Sequence, residues 1–264
     1  MTRLSSLCLL AALVTLAGCA SGPAKDETAG WDAQRLYTEA QDEQAAGNLE
    51  KASRYYEKLE GRAAGTPLAE QAMLDAAHMH HKAQEPAQAL AILNRFELRH
   101  PTSPATDYAL YLRGLVSFND NLGFFGLLNQ QDLSERDQKA ARDSFEAFRA
   151  LVVRFPESIY AEDARQRMQY IVNSLAQSEI NVAQHYFLRQ SYVATINRVQ
   201  QAIENYPQAP ALELGLYLVV RSYDALDMPE LRDDTKRVLL QSYPNTTYLN
   251  AGLPDRSRPW WRLW

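Results

Sequence analysis

The sequence predicts an all-α protein of about five stacked helix pairs, and three observations carry that reading. Helix formers (Ala, Leu, Gln, Glu, Arg) dominate the chain beyond residue 30, while strand-type alternation is scarce. Gly and Pro fall at intervals rather than in clusters, as they do between helices joined by short turns. Amphipathic stretches also end repeatedly in an aromatic or His followed by Pro: His100-Pro101, Phe155-Pro156, Tyr206-Pro207 and Tyr243-Pro244. Proline lacks an N–H and restricts the residue before it, so each pair stops a helix and turns the chain. The ring packs back on the unit just finished.

From the N-terminus, residues 1–18 read as a secretory signal. Arg3 makes a short basic start, and 7–17 is an apolar run too short for a comfortable permanent membrane span. The segment ends Leu16-Ala17-Gly18-Cys19, which resembles a bacterial lipobox. The Cys19 thiol would take a diacylglycerol, and cleavage on its N-terminal side would make it the first residue of the mature chain. Three acyl chains bury far more CH₂ than the single chain that binds only marginally, so the protein would stay on a membrane without spanning it. Ala20, not Asp, follows the cysteine, and the similarity to bacterial lipoproteins then implies the outer membrane. Residues 19–30 read as a flexible tether. The only cysteines are Cys8 and Cys19, so the processed chain is left without disulfide, thiolate nucleophile or cysteine–zinc site.

Residues 31–101 hold two helix pairs, 31–61 with a turn at Gly47-Asn48 and 66–100 with a turn near 84–86. Small residues (Ala40, Ala45, Ala72, Ala76, Ala77, Ala89) sit where helices must approach closely. Residues 102–250 hold three more pairs. Pro101, Pro156, Pro207 and Pro244 are spaced by 55, 51 and 37 residues, against a period of about 34 in tetratricopeptide-like repeats. The third unit is lengthened by an insertion, 119–136. Its Gly123-Phe124-Phe125-Gly126 stretch either folds onto its own helices or meets a partner. The fourth is lengthened by a helix expected to run nearly unbroken over 161–190, with Met168, Ile171, Leu175, Ile180 and Ala183 as its packing positions. A helix pair cannot bury its apolar face alone. Stacked neighbours complete the core of such a solenoid and leave a concave groove suited to extended peptides or partner helices.

The chemistry that this chain lacks narrows its function. A formal net charge of −5 offers no general basic surface to a phosphate backbone, so nucleic-acid binding is not expected. His78, His80 and His81 lie near Asp75 and Glu85, with His78 and His81 on one helix face. Zinc needs three or four ligands with an oriented outer shell, and this spacing matches no strong zinc motif. The histidines read as a helix-turn surface, with no metal or cofactor. No Ser lies in a nucleophile elbow and no Gly-rich phosphate loop appears, so the chain reads as a binding protein rather than an enzyme.

Two blocks carry a family resemblance. The first runs Ala141-Arg142-Asp143-Ser144-Phe145-Glu146-Ala147-Phe148, then Val153-Arg154-Phe155-Pro156-Glu157-Ser158, then Tyr160-Ala161-Glu162-Asp163-Ala164-Arg165-Gln166-Arg167-Met168. The second runs Glu179-Ile180-Asn181-Val182-Ala183-Gln184-His185-Tyr186-Phe187 into Tyr192-Val193-Ala194-Thr195-Ile196-Asn197-Arg198-Val199. Together with the lipobox and the Phe124-Phe125-Gly126 insertion, they resemble the BamD or ComL family, lipoproteins of the bacterial outer-membrane β-barrel assembly machinery. The resemblance implies a five-repeat lipoprotein on the outer membrane, facing the periplasm. It would sit in the complex that folds and inserts outer-membrane β-barrel proteins. Residues 102–250 would bind the last POTRA domain of the barrel-forming subunit and accessory lipoproteins, and 31–101 would receive the targeting signals of unfolded substrate barrels. Arg198 matches a family arginine that contacts the barrel subunit. Asn197, Glu179, Phe124 and Phe125 join it as partner-binding candidates, and Tyr37, Tyr55, Tyr56, Met73 and His80 are candidates for the substrate groove. The competing expectation is a repeat lipoprotein that serves as an adaptor for peptidoglycan-associated or other cell-envelope complexes.

The tail, 251–264, departs from the repeats and ends Pro259-Trp260-Trp261-Arg262-Leu263-Trp264. Three Trp in five residues is not the composition of an idle tail. Trp260 and Trp261 are expected to contact a partner or cap the last repeat, with membrane contact a third option.

Overall fold

Every described element is a helix, as the spacing of Pro and Gly predicts. The structure, a computed structural model, describes residues 26–118 and 135–253. The helices are α1 (Ala33–Ala45), α2 (Leu49–Arg62), α3 (Pro67–Lys82), α4 (Pro86–Arg99), α5 (Thr106–Ser117), α6 (Glu135–Arg154), α7 (Ala161–Leu188), α8 (Tyr192–Asn205), α9 (Leu212–Ala225), α10 (Pro229–Ser242) and the single turn α11 (Tyr248–Ala251). The described residues fall into two compact units, divided inside α3 between Ala72 and Met73. Among the described residues no helix is long and apolar enough to cross a membrane.

The residues before each proline end their helices. His100, Tyr206 and Tyr243 are the C-caps of α4, α8 and α10, with N–H groups donating to Phe96, Ala202 and Leu239. Phe155 does the same after α6, donating to Leu151 at 2.8 Å. Four turns between paired helices each place one residue in the left-handed region: Gly47 (φ 80°), Gln84 (62°), Gln190 (62°) and Asp227 (56°). Only the first of these is the residue that this conformation favours.

In the first unit α1 packs on α2. Leu36, Ala40, Ala52, Tyr56 and Leu59 are buried there. Asp32 caps α1 by accepting the Arg35 N–H at 2.8 Å. Residues 26–30, assigned to the tether by composition, are here a turn lying on α2, and Thr28 is only 1% exposed. The rest of the expected tether lies outside the described residues.

In the second unit each helix from α4 to α9 packs on the next, α9 also reaches back to α7, and α11 packs on α9. One core gathers Leu110, Phe148, Leu151, Ile171 and Leu175 from α5, α6 and α7. Another gathers Ile180, Ile196, Val199, Leu212, Leu218 and Leu239 from α7 to α10. Helix α7, at 28 residues, is roughly 42 Å long at 1.5 Å per residue. That length lets one helix supply both cores. Two glycines permit the close approaches: a Cβ on Gly114 would lie 2.7 Å from Phe148 Cζ, and one on Gly215 would lie 2.7 Å from Ile180 Cδ1.

Candidate functional site

The partner-binding candidates meet where α7 and α8 pack. Glu179 projects from the middle of α7 and Arg198 from α8. Arg198 Nε lies 2.5 Å from Glu179 Oε2, with the side chains 33% and 13% exposed. Both atoms are buried, and neither has a hydrogen-bond partner. The contact lies off the N–H axis, so charge attraction carries it rather than an aligned hydrogen bond. A third of the guanidinium side chain remains open to solvent. Asn197, beside it, is exposed.

Two further residues that were not chosen from the sequence belong here, Tyr206 and Arg142. Tyr206, the C-cap of α8, packs against both cores of the second unit. Burial pushes its phenol above the ordinary range; Arg142 and Arg198 oppose that shift and Glu179 adds to it. Tyr206 therefore brings a hydroxyl to a place holding two guanidiniums and one carboxylate. The signal was available in part: a helix-ending aromatic that is Tyr rather than Phe carries a polar tip.

The substrate-groove candidates divide. In the first unit Tyr56 is 1% exposed and donates to Gln44 Oε1 at 2.9 Å. Tyr55 is 6% exposed, edge-on to Trp31 at 5.5 Å and beneath Lys51. Both are core residues of the first helix pair, and Tyr37, half-buried, stands edge-on to Tyr56. In the second unit Met73 is 1% exposed. Tyr56 and Met73 are thus closed off from solvent, whereas Tyr55 lines an open cleft together with Lys51, Arg54 and Lys58. His80 is half-buried, with Nδ1 2.7 Å from Glu85 Oε2.

The neighbouring histidine is not a spare surface group. His78 Nδ1 lies 3.4 Å from the Tyr108 hydroxyl of α5, and burial holds its imidazole below the ordinary value. Burial likewise pushes Tyr108 up to about 12. A second polar link ties α5 to α7: Tyr111 donates to Asp163 Oδ2 at 2.7 Å, and Arg167 Nε donates to the same oxygen at 2.6 Å. Burial raises Asp163, but these two donors outweigh it and leave the carboxyl below its usual range. Among the described residues no group of three or more His, Cys, Asp and Glu could hold a metal ion. Cys19, Phe124, Phe125, Trp260 and Trp261 lie outside the described residues.

Known proteins match along nearly the full length. A family profile described as "Outer membrane lipoprotein" (YfiO) covers residues 30–239. The chain is 41% identical over 255 residues to the "Outer membrane protein assembly factor BamD" of Neisseria meningitidis serogroup B, covering 95% of this chain and 96% of the relative. It is 34% identical to the protein of that name in Haemophilus influenzae, with 90% of each chain covered. It is 32% identical to the one in Vibrio cholerae, over 87% of this chain and 95% of the relative. With a helical-repeat fold and these similarities together, the chain belongs to the BamD and YfiO family of outer membrane lipoproteins.

Proposed function

We propose that this chain is a non-enzymatic scaffold of the outer-membrane β-barrel assembly complex, anchored through lipid on Cys19 and facing the periplasm. Residues 102–250 bind the POTRA-bearing barrel subunit and accessory lipoproteins. Residues 31–101 receive unfolded outer-membrane proteins. The observation that carries the partner-binding part is Arg198, held against Glu179 yet one-third exposed. An anchored guanidinium keeps part of its planar fork of donors free for a partner's carboxylates or carbonyls, at a lower ordering cost than a loose one. The relatives named as outer membrane protein assembly factors support the assembly role. Within the groove reading, Tyr37 and His80 are partly exposed and Tyr55 lines an open cleft.

The test is a photoreactive residue in place of Asn197 in living cells, which leaves the Arg198–Glu179 pair intact. Capture of a large outer-membrane protein bearing POTRA domains is the expected result. Capture of cell-wall enzymes in its place would instead make the chain a peptidoglycan-associated adaptor.

A further inference from the structure

The turn ahead of α1 is fastened to α2 by side chains far along the sequence. Lys58 Nζ donates to Asp26 Oδ1 at 2.5 Å and to Thr28 Oγ1 at 3.1 Å. Thr28 in turn donates to Asp26 Oδ1 through both its N–H, at 3.0 Å, and its hydroxyl, at 2.7 Å. Arg62 donates to the Thr28 carbonyl at 2.8 Å and also to that of Trp31. Trp31 closes the arrangement by packing edge-on against Tyr55 at 5.5 Å, with the Arg35 guanidinium 4.5 Å from its ring centre. A polar stretch with a buried threonine and a shared carboxylate has lost the freedom of a linker. The chain between the lipid-bearing residue and this fastening is only residues 20–25, so Cys19 and Asp26 are about 25 Å apart at most when the chain is fully extended. The same turn brings Asp26, Glu27 and Thr28 to an open cleft of about 560 Å³, whose other wall carries Arg54 with Lys51, paired to Glu43, and Lys58, paired to Asp26.

We propose that residues 26–31 form a clamp that fixes the outgoing anchor chain to α2, holding the first helix pair close to the phospholipid leaflet with the α2 face that carries Arg54, beside the exit of the anchor chain, toward the headgroups. The proposal rests on the reading of Cys19 as the lipid attachment point. A short tether turns a membrane anchor into an orienting device: effective concentration near the surface is high, and the tether's exit point decides which face is presented. A freely jointed tether over 20–30 would impose neither the distance nor the face.

The experiment uses the full-length lipidated protein in vesicles of phosphatidylethanolamine and phosphatidylglycerol. A fluorophore on Arg54→Cys is quenched by headgroup spin-labelled lipid. Strong quenching is expected in the parent. It is expected to be lost in a Lys58→Ala, Arg62→Ala double variant with an unchanged melting curve. It is also expected to be lost when a flexible Gly-Ser segment is inserted between Lys25 and Asp26, which lengthens the tether and leaves the clamp intact. Vesicle-bound protein with an acylated Cys19 whose probe is unquenched in the parent, or equally quenched in all forms, would overturn the clamp alone. Absence of acyl mass on Cys19 would overturn the anchor reading and the clamp with it.

Discussion

At Gly114 one methyl group decides whether α5 and α6 can meet. A Cβ there would press on Phe148, whose ring is 0% exposed and has no room to withdraw. Gly114→Ala is therefore expected to destabilise the second unit by about 1–3 kcal/mol, the usual cost of overpacking a filled core, as read from denaturant unfolding. Gly215→Ala should cost less, because the neighbour it meets first is the terminal methyl of Ile180. Equal effects at the two positions would contradict this account. Arg198 poses the opposite question, of charge against shape. Lysine there keeps a cation beside Glu179 but loses the planar fork. Arg198→Lys should leave the melting temperature near that of the parent while weakening binding to isolated POTRA domains by roughly tenfold, about 1.4 kcal/mol. Unchanged binding would mean that the exposed third of Arg198 touches nothing in the complex.

Among the elements, the turns between paired helices share one backbone device and differ in how well the residue suits it. Gly47 adopts φ 80° freely, whereas Gln190 holds φ 62° with a side chain attached. Relief of the left-handed penalty, less the added chain entropy of glycine, predicts that Gln190→Gly stabilises by about 0.5–1 kcal/mol. Calorimetry should show a rise in melting temperature; a fall would mean that the Gln190 side chain holds the turn. The helix ends themselves were legible in the sequence because proline acts covalently on its neighbour, so His100, Tyr206 and Tyr243 needed no tertiary knowledge to be placed. Helix α7 was legible for a similar reason, as an unbroken apolar period over many turns. What composition could not give was direction. Tyr55, Tyr56 and Met73 have the chemistry of a peptide-binding groove, and only the folded chain shows that Tyr56 and Met73 are closed off while Tyr55 still edges an open cleft. The turn at 26–31 was hidden for a related reason: its small polar residues suit a linker, and the partners that order it lie about thirty positions further along.

For the whole molecule, the titrating groups agree in sign, and that agreement fixes the pH range of greatest stability. His78 is held below its ordinary value of 6.5 by burial first and by Lys82 and His81 second. The unfolded chain therefore takes up its proton earlier than the folded one, and stability begins to fall as pH drops below about 6.5. The carboxylates extend the trend. Asp163 is lowered by its two donors against the opposing effect of burial, and Asp26 is brought from 3.8 to about 2 chiefly by Lys58, with Thr28 second. Their contributions are complete above the ordinary carboxylate value near 4 and vanish as pH falls through the folded one. Asp26 lies at the surface, so salt and solvent screening leave it a minor part in stability. At the alkaline end burial raises Tyr108, Tyr111, Tyr206 and Tyr243. A raised acid keeps its proton longer when folded, so stability falls once pH passes the ordinary phenol value near 10. The expected melting profile is a plateau from about pH 6.5 to 10 with losses on both sides. Replacing His78 with Gln, which cannot take up a proton, should push the acidic shoulder down toward the carboxylate range while leaving the alkaline one in place. A profile that peaks at the isoelectric point, or an acidic shoulder unmoved by His78→Gln, would show that net charge governs the stability of this protein, not its buried groups.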